Sequence, residues 1–245
     1  MNERQQKILA AIVELYGETA VPVGSQTLLE RFDFGVSPAT IRSDMATLED
    51  GGYLYQPHTS AGRIPTDEGY RYFVEEIMSD ERLSLSDQRK LQQELLQLRA
   101  KHARLGRSTA KLLSTLSGNL AVTGTIGEDE IYDFGMKSLL EKQEFQELDE
   151  MCRLVEALDT LDERFDLILR QVADGETRIF IGHENPIKEI SNCSMVVAPY
   201  ESAEGKGILA IIGPKHMQYA KNKSLLDHMK KLLGSSLMVL IVIIV

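Results

Sequence analysis

The first 66 residues cannot form a long element, because the chain is broken at Pro22 and Gly24, Gly35, Gly51-Gly52, Gly62 and Pro65. Glycine ends an element through its backbone freedom, and proline through its fixed φ and missing N–H. The stretches between the breaks are short and patterned. Ile8, Leu9, Ile12, Val13 and Tyr16 recur at helical spacing and predict a helix over residues 3–16. Ser25 stands where a cap belongs, ahead of a second helix from Gln26 to Phe32. Ser37-Pro38 opens a third helix, since serine is a favoured cap and proline suits the first helical position. Ile41, Met45 and Leu48 form its buried stripe, and Gly51-Gly52 ends it. Tyr53-Leu54-Tyr55 reads as a strand, His58 to Gly62 as a tight loop, and Arg63-Ile64 as a returning strand that Pro65 stops. Thr66 caps a further helix. Helix, helix, helix, hairpin is the order of a winged helix-turn-helix.

Residues 79–87 are polar and predict a linker. From Gln88 to Leu116 one long helix is expected. Leu91, Leu98, Leu105 and Leu112 recur every seven residues, with Leu95, His102, Thr109 and Leu116 as companions. Residues 88–111 carry seven Lys/Arg against Glu94 alone, whereas residues 138–172 read as two helical pieces rich in acid. Opposite charge runs in one small protein are expected to pair with each other. Residues 118–137 are Gly-rich and irregular. Strands are expected at Arg178 to Gly182, Ser194 to Ala198 and Ile208 to Gly213, with Ala121 to Ile126 as a fourth candidate, followed by an amphipathic helix over 218–233. The C-terminal half is therefore α+β. The wholly apolar run Leu237 to Val245 would reach ~14 Å as a helix, against a hydrocarbon core of ~30 Å, so it predicts a buried strand or an interface and no membrane span. The N-terminus lacks the pattern of a secretory signal, and two cysteines fit a reducing cytoplasm.

The net charge is −10, and residues 1–75 hold 6 Lys/Arg against 11 Asp/Glu. Any affinity for nucleic acid must come from arrangement and not from total charge. The third helix offers one. Ala39 and Thr40 are small enough for close approach to a major groove. Arg42 can donate two hydrogen bonds to guanine, and Ser25, Ser37, Thr40 and Ser43 can bind phosphates. The loop Gln56 to Arg63 offers the second. His58, Thr59 and Ser60 supply hydrogen bonds, Gly62 permits a turn, and Arg63 suits a narrow minor groove. From periodicity alone a plain amphipathic helix accounts for the first element equally well, and for an arbitrary sequence a plain polar turn is the favoured reading of the second.

VPVGSQTLLERF, VSPATIRSDMATLEDGGYL and QPHTSAGRIPTDEGYRYFV, with FIGHENPIKEISNCSMVVAPY and GILAIIGPKHMQYAKNKSLLDHMKKLL, together resemble the heat-inducible transcription repressor HrcA family. The resemblance implies a winged-helix DNA-binding domain over 1–78, a linker and long helix over 79–117, and a GAF-like regulatory and oligomerisation domain over 118–245. It implies an α+β repressor of heat-shock chaperone genes that binds double-stranded operator DNA, an inverted repeat, as a homodimer. A GroEL-type chaperonin would assist it. No cofactor, metal or membrane is implied. Only about sixty residues separate Gly118 from Arg178, so most of the family's inserted dimerisation domain and part of its sheet are expected to be missing.

Two other regulators fit the same pattern: one controlled by a small molecule in the C-terminal domain, and a protein-interaction module without DNA binding. An enzyme fits less well. His183, Glu184, Cys193 and His216 follow no ligand motif and have no recognisable nucleophile–base pair.

Overall fold

The computed structural model of the protein describes residues 1–79, 81–100, 105–125, 131–142, 145, 148–172, 175–202 and 205–234. They divide into two units, one made of Met1–Ser79 with Lys215–Gln218 and the other of the remainder.

In the first unit, α1 (Glu3–Thr19) opens with a reciprocal cap. The Asn2 side chain accepts from the Gln5 N–H at 2.9 Å, and the Gln5 side chain accepts from the Asn2 N–H at 3.0 Å. It runs to a left-handed Ala20, whose N–H returns to the Tyr16 carbonyl at 2.8 Å. Helix α2 (Ser25–Arg31) starts one residue earlier than expected. Gly24 takes the extended cap position, and its carbonyl already accepts from the Leu28 N–H at 3.1 Å. Ser25 is thus the first helical residue and not the cap. Helix α3 (Pro38–Asp50) buries Ile41, Met45 and Leu48 as predicted, together with Asp44.

Strands β1 (Leu54–Tyr55) and β2 (Ile64–Pro65) pair antiparallel, Leu54 opposite Pro65 and Tyr55 opposite Ile64. Pro65 therefore lies inside the hairpin that it was expected to end, in a two-residue strand, a length and place where a missing N–H is tolerated. Arg63, expected in that strand, instead bridges Val23 through two backbone hydrogen bonds of 2.9 Å. Helix α4 (Asp67–Tyr72) is capped by Thr66 and continues as a wider turn through Ile77.

The second unit is built on a five-stranded antiparallel sheet of order β4-β3-β7-β6-β5. Its strands are β3 (Leu120–Thr125), β4 (Ile131–Phe134), β5 (Arg178–Ile181), β6 (Cys193–Ser202) and β7 (Gly205–Pro214). The sequence had suggested three or four strands with part of the sheet missing. The extra strand is β4, in the stretch read as irregular, and five strands is an ordinary sheet size.

The sheet is covered on both faces, so its central strands are apolar at successive positions and not only at alternate ones. On one face Leu120, Val122, Met195, Val197, Ile208 and Ile212 pack against α7 (Met136–Leu140), α8 (Leu148–Asp159) and α9 (Leu161–Gln171). On the other face lie α6 (Leu105–Ser117) and α10 (Tyr219–Gly234). There the Thr123 hydroxyl donates to the Gly106 carbonyl at 2.9 Å, and the Ser194 and Tyr219 hydroxyls meet at 2.8 Å.

The expected long helix is described as α5 (Leu85–Ala100) and α6, and residues 101–104 lie outside the described residues. Leu91, Leu95, Thr109 and Leu112 are buried from its repeat. No ion pair joins residues 88–111 to residues 138–172 among the described residues, and the side chains of Arg99, Lys101 and Arg104 lie outside them. Helix α6 and the acidic α8 and α9 lie on opposite faces of the sheet, which keeps Arg107 and Lys111 from those acids. The apolar run 237–245 lies outside the described residues.

Candidate nucleic-acid interface

The start of α3 is well organised. The Ser37 hydroxyl oxygen accepts from the Thr40 N–H at 3.2 Å and lies 2.9 Å from the Thr40 hydroxyl. The helix of thirteen residues gives this end a partial positive charge and free N–H groups, a ready environment for an anion. Ser37, Ala39, Arg42 and Ser43 are exposed and Thr40 is partly exposed. Arg42 forms no ion pair with any described residue. Replacing Ser37 by alanine is expected to lower the stability of the unit by about 1 kcal/mol, read as a drop in its thermal midpoint, because the first turn loses its cap.

The stretches that carry these side chains hold no acid of their own, although Glu30 and Asp33 line one cleft with Ser37. Phe34 to Ser43 contains no carboxylate, and neither does Tyr53 to Thr66. Two of the carboxylates on α3 are neutralised within the unit. Asp44, 6 % exposed, receives the Arg4 guanidinium at 2.6 Å. That contact holds the Arg4 guanidinium above its ordinary pKa. Glu49 receives Arg63 at 2.8 and 2.9 Å. These pairs were not anticipated from the sequence. Asp44 lies three residues from Ile41 and four from Leu48, on the edge of the buried stripe, so its burial was legible. Its partner Arg4, forty residues away, was not.

The hairpin loop is held by Gln56. Its amide donates to the carbonyls of Thr59 at 3.1 Å and Ala61 at 2.7 Å, and His58 Nδ1 lies 3.1 Å from the Ser60 hydroxyl. His58, Thr59 and Ser60 are exposed at the tip. Arg63 is not at the tip. Its side chain is 20 % exposed, and its guanidinium is engaged with Glu49. Gly62 serves close packing: a Cβ there would collide with the Val23 backbone. Tyr55 stays a neutral hydroxyl over a wider pH range, because burial and then the Asp67 carboxylate push its pKa up. Ser25 is partly exposed as the first residue of α2.

The residues weighed as a metal or catalytic cluster are separately engaged. The Glu184 carboxylate accepts from the Ile181 N–H at 3.0 Å, Cys193 is buried in the sheet core, and His216 packs edge-on against Tyr16 in the first unit. Among the described residues no group of His, Cys, Asp or Glu is placed to hold a metal ion. The GHENP turn is organised by buried Asn185, whose amide donates to the carbonyls of Gly182 at 2.7 Å and Cys193 at 2.8 Å. Asn185 thus fixes the turn that follows β5.

The model of the HrcA protein C terminal domain matches residues 73–222, more than half of the chain. The chain is similar to the "Heat-inducible transcription repressor HrcA" of Pelotomaculum thermopropionicum, 28 % identical with 97 % of each chain covered. It is also similar to that of Moorella thermoacetica, at 29 % with 92 % of this chain and 95 % of the relative covered. The protein of the same name from Chlorobium phaeovibrioides is 44 % identical over 126 residues, 50 % of this chain and 35 % of the relative. The first of these alignments spans 337 positions, and 337 less 245 leaves at least 92 positions facing no residue here. A solved structure described as a hypothetical protein shares the fold, with a TM-score of 0.71, 22 % identity and 96 % of each chain covered. Among the described residues no helix is long and apolar enough to cross a membrane. The chain belongs to the HrcA family, a family of heat-inducible transcription repressors and not of enzymes.

Proposed function

We propose that this protein represses heat-shock chaperone genes by binding double-stranded operator DNA, an inverted repeat, as a homodimer in the cytoplasm, with a GroEL-type chaperonin raising its activity. The first unit is read as a winged helix and the second as a GAF-like regulatory and oligomerisation domain, with residues 79–117 between them. One observation carries the reading: α3 presents Arg42 exposed beside a Ser37-capped first turn that itself contains no carboxylate, while Asp44 and Glu49 are neutralised by Arg4 and Arg63. In an acidic protein this is the arrangement that lets a duplex approach.

In this reading α3 enters the major groove. Ala39 allows close approach, Arg42 reads a base, and Ser37, Thr40 and Ser43, with Ser25 on α2, hold phosphates. His58, Thr59 and Ser60 lie along the backbone at the wing. Arg63 braces the wing through Glu49 and Val23. Two α3 helices in a dimer would lie about one DNA turn, or a multiple of it, apart.

The deciding experiment is a gel shift on an inverted-repeat operator at two salt concentrations, with and without chaperonin. Specific retention that weakens steeply with salt and strengthens with chaperonin is expected. Equal retention of random DNA, or none, rejects the operator reading. Arg63 is tested separately. Arg63→Ala is expected to cost about 1 kcal/mol of stability, most of it absent in a Glu49→Ala background. Operator affinity should fall by the same factor on A/T-rich and G/C-rich flanks. A loss confined to A/T-rich flanks would instead put the guanidinium in the minor groove.

A further inference from the structure

In the second unit, a cleft of about 510 Å³ opens where β6 runs out and β7 begins, between the last turn of α9 and α10. Sites for small molecules commonly measure ~300–1,000 Å³. One wall is apolar and made of Leu169, Val172 and Pro199. A second wall is the ring of Tyr200. It lies opposite Gly207 in the β6–β7 register, and a Cβ on Gly207 would collide with the Gly124 carbonyl oxygen and come within 2.6 Å of the ring carbons. The glycine therefore admits both the neighbouring strand and the aromatic ring.

The rim is cationic. Among the described residues Arg170, Lys206 and Lys230 line the cleft with Glu201 as the one lining carboxylate; Asp174 and Glu204 lie outside the described residues. Lys230 donates to the Gly175 carbonyl and holds the chain after α9 beside the opening. Lys206 meets Glu201 at 3.5 Å with both side chains exposed, a contact worth little in water. Arg170 is exposed and has no ion-pair partner among the described residues. An apolar floor and an aromatic wall call for a hydrocarbon or aromatic body. An exposed cation with no ion-pair partner among the described residues calls for an anionic head.

We propose that this cleft binds one small organic anion with an apolar body per chain, the body against Leu169, Val172, Pro199 and Tyr200 and the head at Arg170 and Lys206. The site shares no residue with the α3 surface, so it stands or falls independently of operator binding.

The test is calorimetric titration of the full chain with decanoate, and with decanol and decyltrimethylammonium as neutral and cationic molecules of the same tail, all kept monomeric. One decanoate per chain is expected, with decanol at least tenfold weaker and the cation weaker still. Arg170→Glu, a surface change, is expected to weaken decanoate at least tenfold, while Arg170→Lys keeps most of the affinity. Tyr200→Ala should weaken decanoate and decanol by a similar factor. Absence of decanoate binding, equal binding of the three molecules, or an affinity that Arg170→Glu leaves unchanged overturns the proposal. A thermal melt of each variant separates lost binding from lost fold.

Discussion

Replacing Arg42 by alanine is expected to cut operator affinity roughly tenfold to a hundredfold per half-site, the equivalent of the ~1–3 kcal/mol carried by a bidentate base contact. The fold should be unchanged, since the side chain is exposed and no described residue forms an ion pair with it. A melting curve superimposable on that of the parent would establish this. The loss should depend on sequence: large on the operator, small on random duplex, with base preference relaxed at one position in each half-site. The slope of affinity against salt should change by no more than one phosphate's worth, because the other contacts remain. An equal loss on operator and random DNA, with a shallower salt slope, would make Arg42 a phosphate contact. No loss on either would remove α3 from the interface.

The parts of this protein that could be read from its sequence are those whose cause is local. Ser37-Pro38 and Gly51-Gly52 bracket α3 because cap, proline and glycine each act on the backbone beside them. Ser25 was misplaced because a stronger cap residue by type stood next to Gly24, whose extended backbone took the role. Strand β4 escaped because four residues beside a Gly-rich stretch have too short a pattern to separate strand from loop; its pairing with β3 decides the matter. For the cations described on α6, Arg107 and Lys111, the expected pairing with the acidic helices is absent for a related reason. Charge runs show that two segments attract, but not that a sheet stands between them. At the candidate interface the exposed polar side chains were legible and the pairs that neutralise the acids were not. Arg4 with Asp44 and Arg63 with Glu49 join residues 40 and 14 positions apart, and no periodicity links them.

Gly62→Ala is expected to be the most damaging small change in the hairpin, although the residue is on a loop and alanine adds one carbon. The usual explanation for a glycine in a tight loop is a left-handed backbone, but Gly62 is absent from the positive-φ residues here. Its role is contact: the Cβ would fall on the Val23 backbone, where no side-chain rotation can relieve it. The chain must then move apart at the neighbouring bridge, where Val23 and Arg63 exchange two hydrogen bonds of 2.9 Å. Overpacking costs ~1–3 kcal/mol and each lost backbone bond a further ~0.5–1.5 kcal/mol. A loss of about 2–5 kcal/mol is therefore expected, a large part of the stability of a unit this small. The Arg63–Glu49 brace would be displaced with the backbone. Operator binding should thus fall even at temperatures where α3 remains helical by circular dichroism. Gly35 offers the contrast. It lies in a left-handed turn, with φ +64° and open space where a Cβ would stand, so Gly35→Asn should cost only the backbone strain, which is mildest for asparagine, and less than Gly62→Ala. Measured side by side, a thermal midpoint lower for Gly62→Ala than for Gly35→Asn supports contact as the cause. A Gly62→Ala protein as stable as the parent would mean that the hairpin is not held against Val23, and the brace argument for the wing would fall with it.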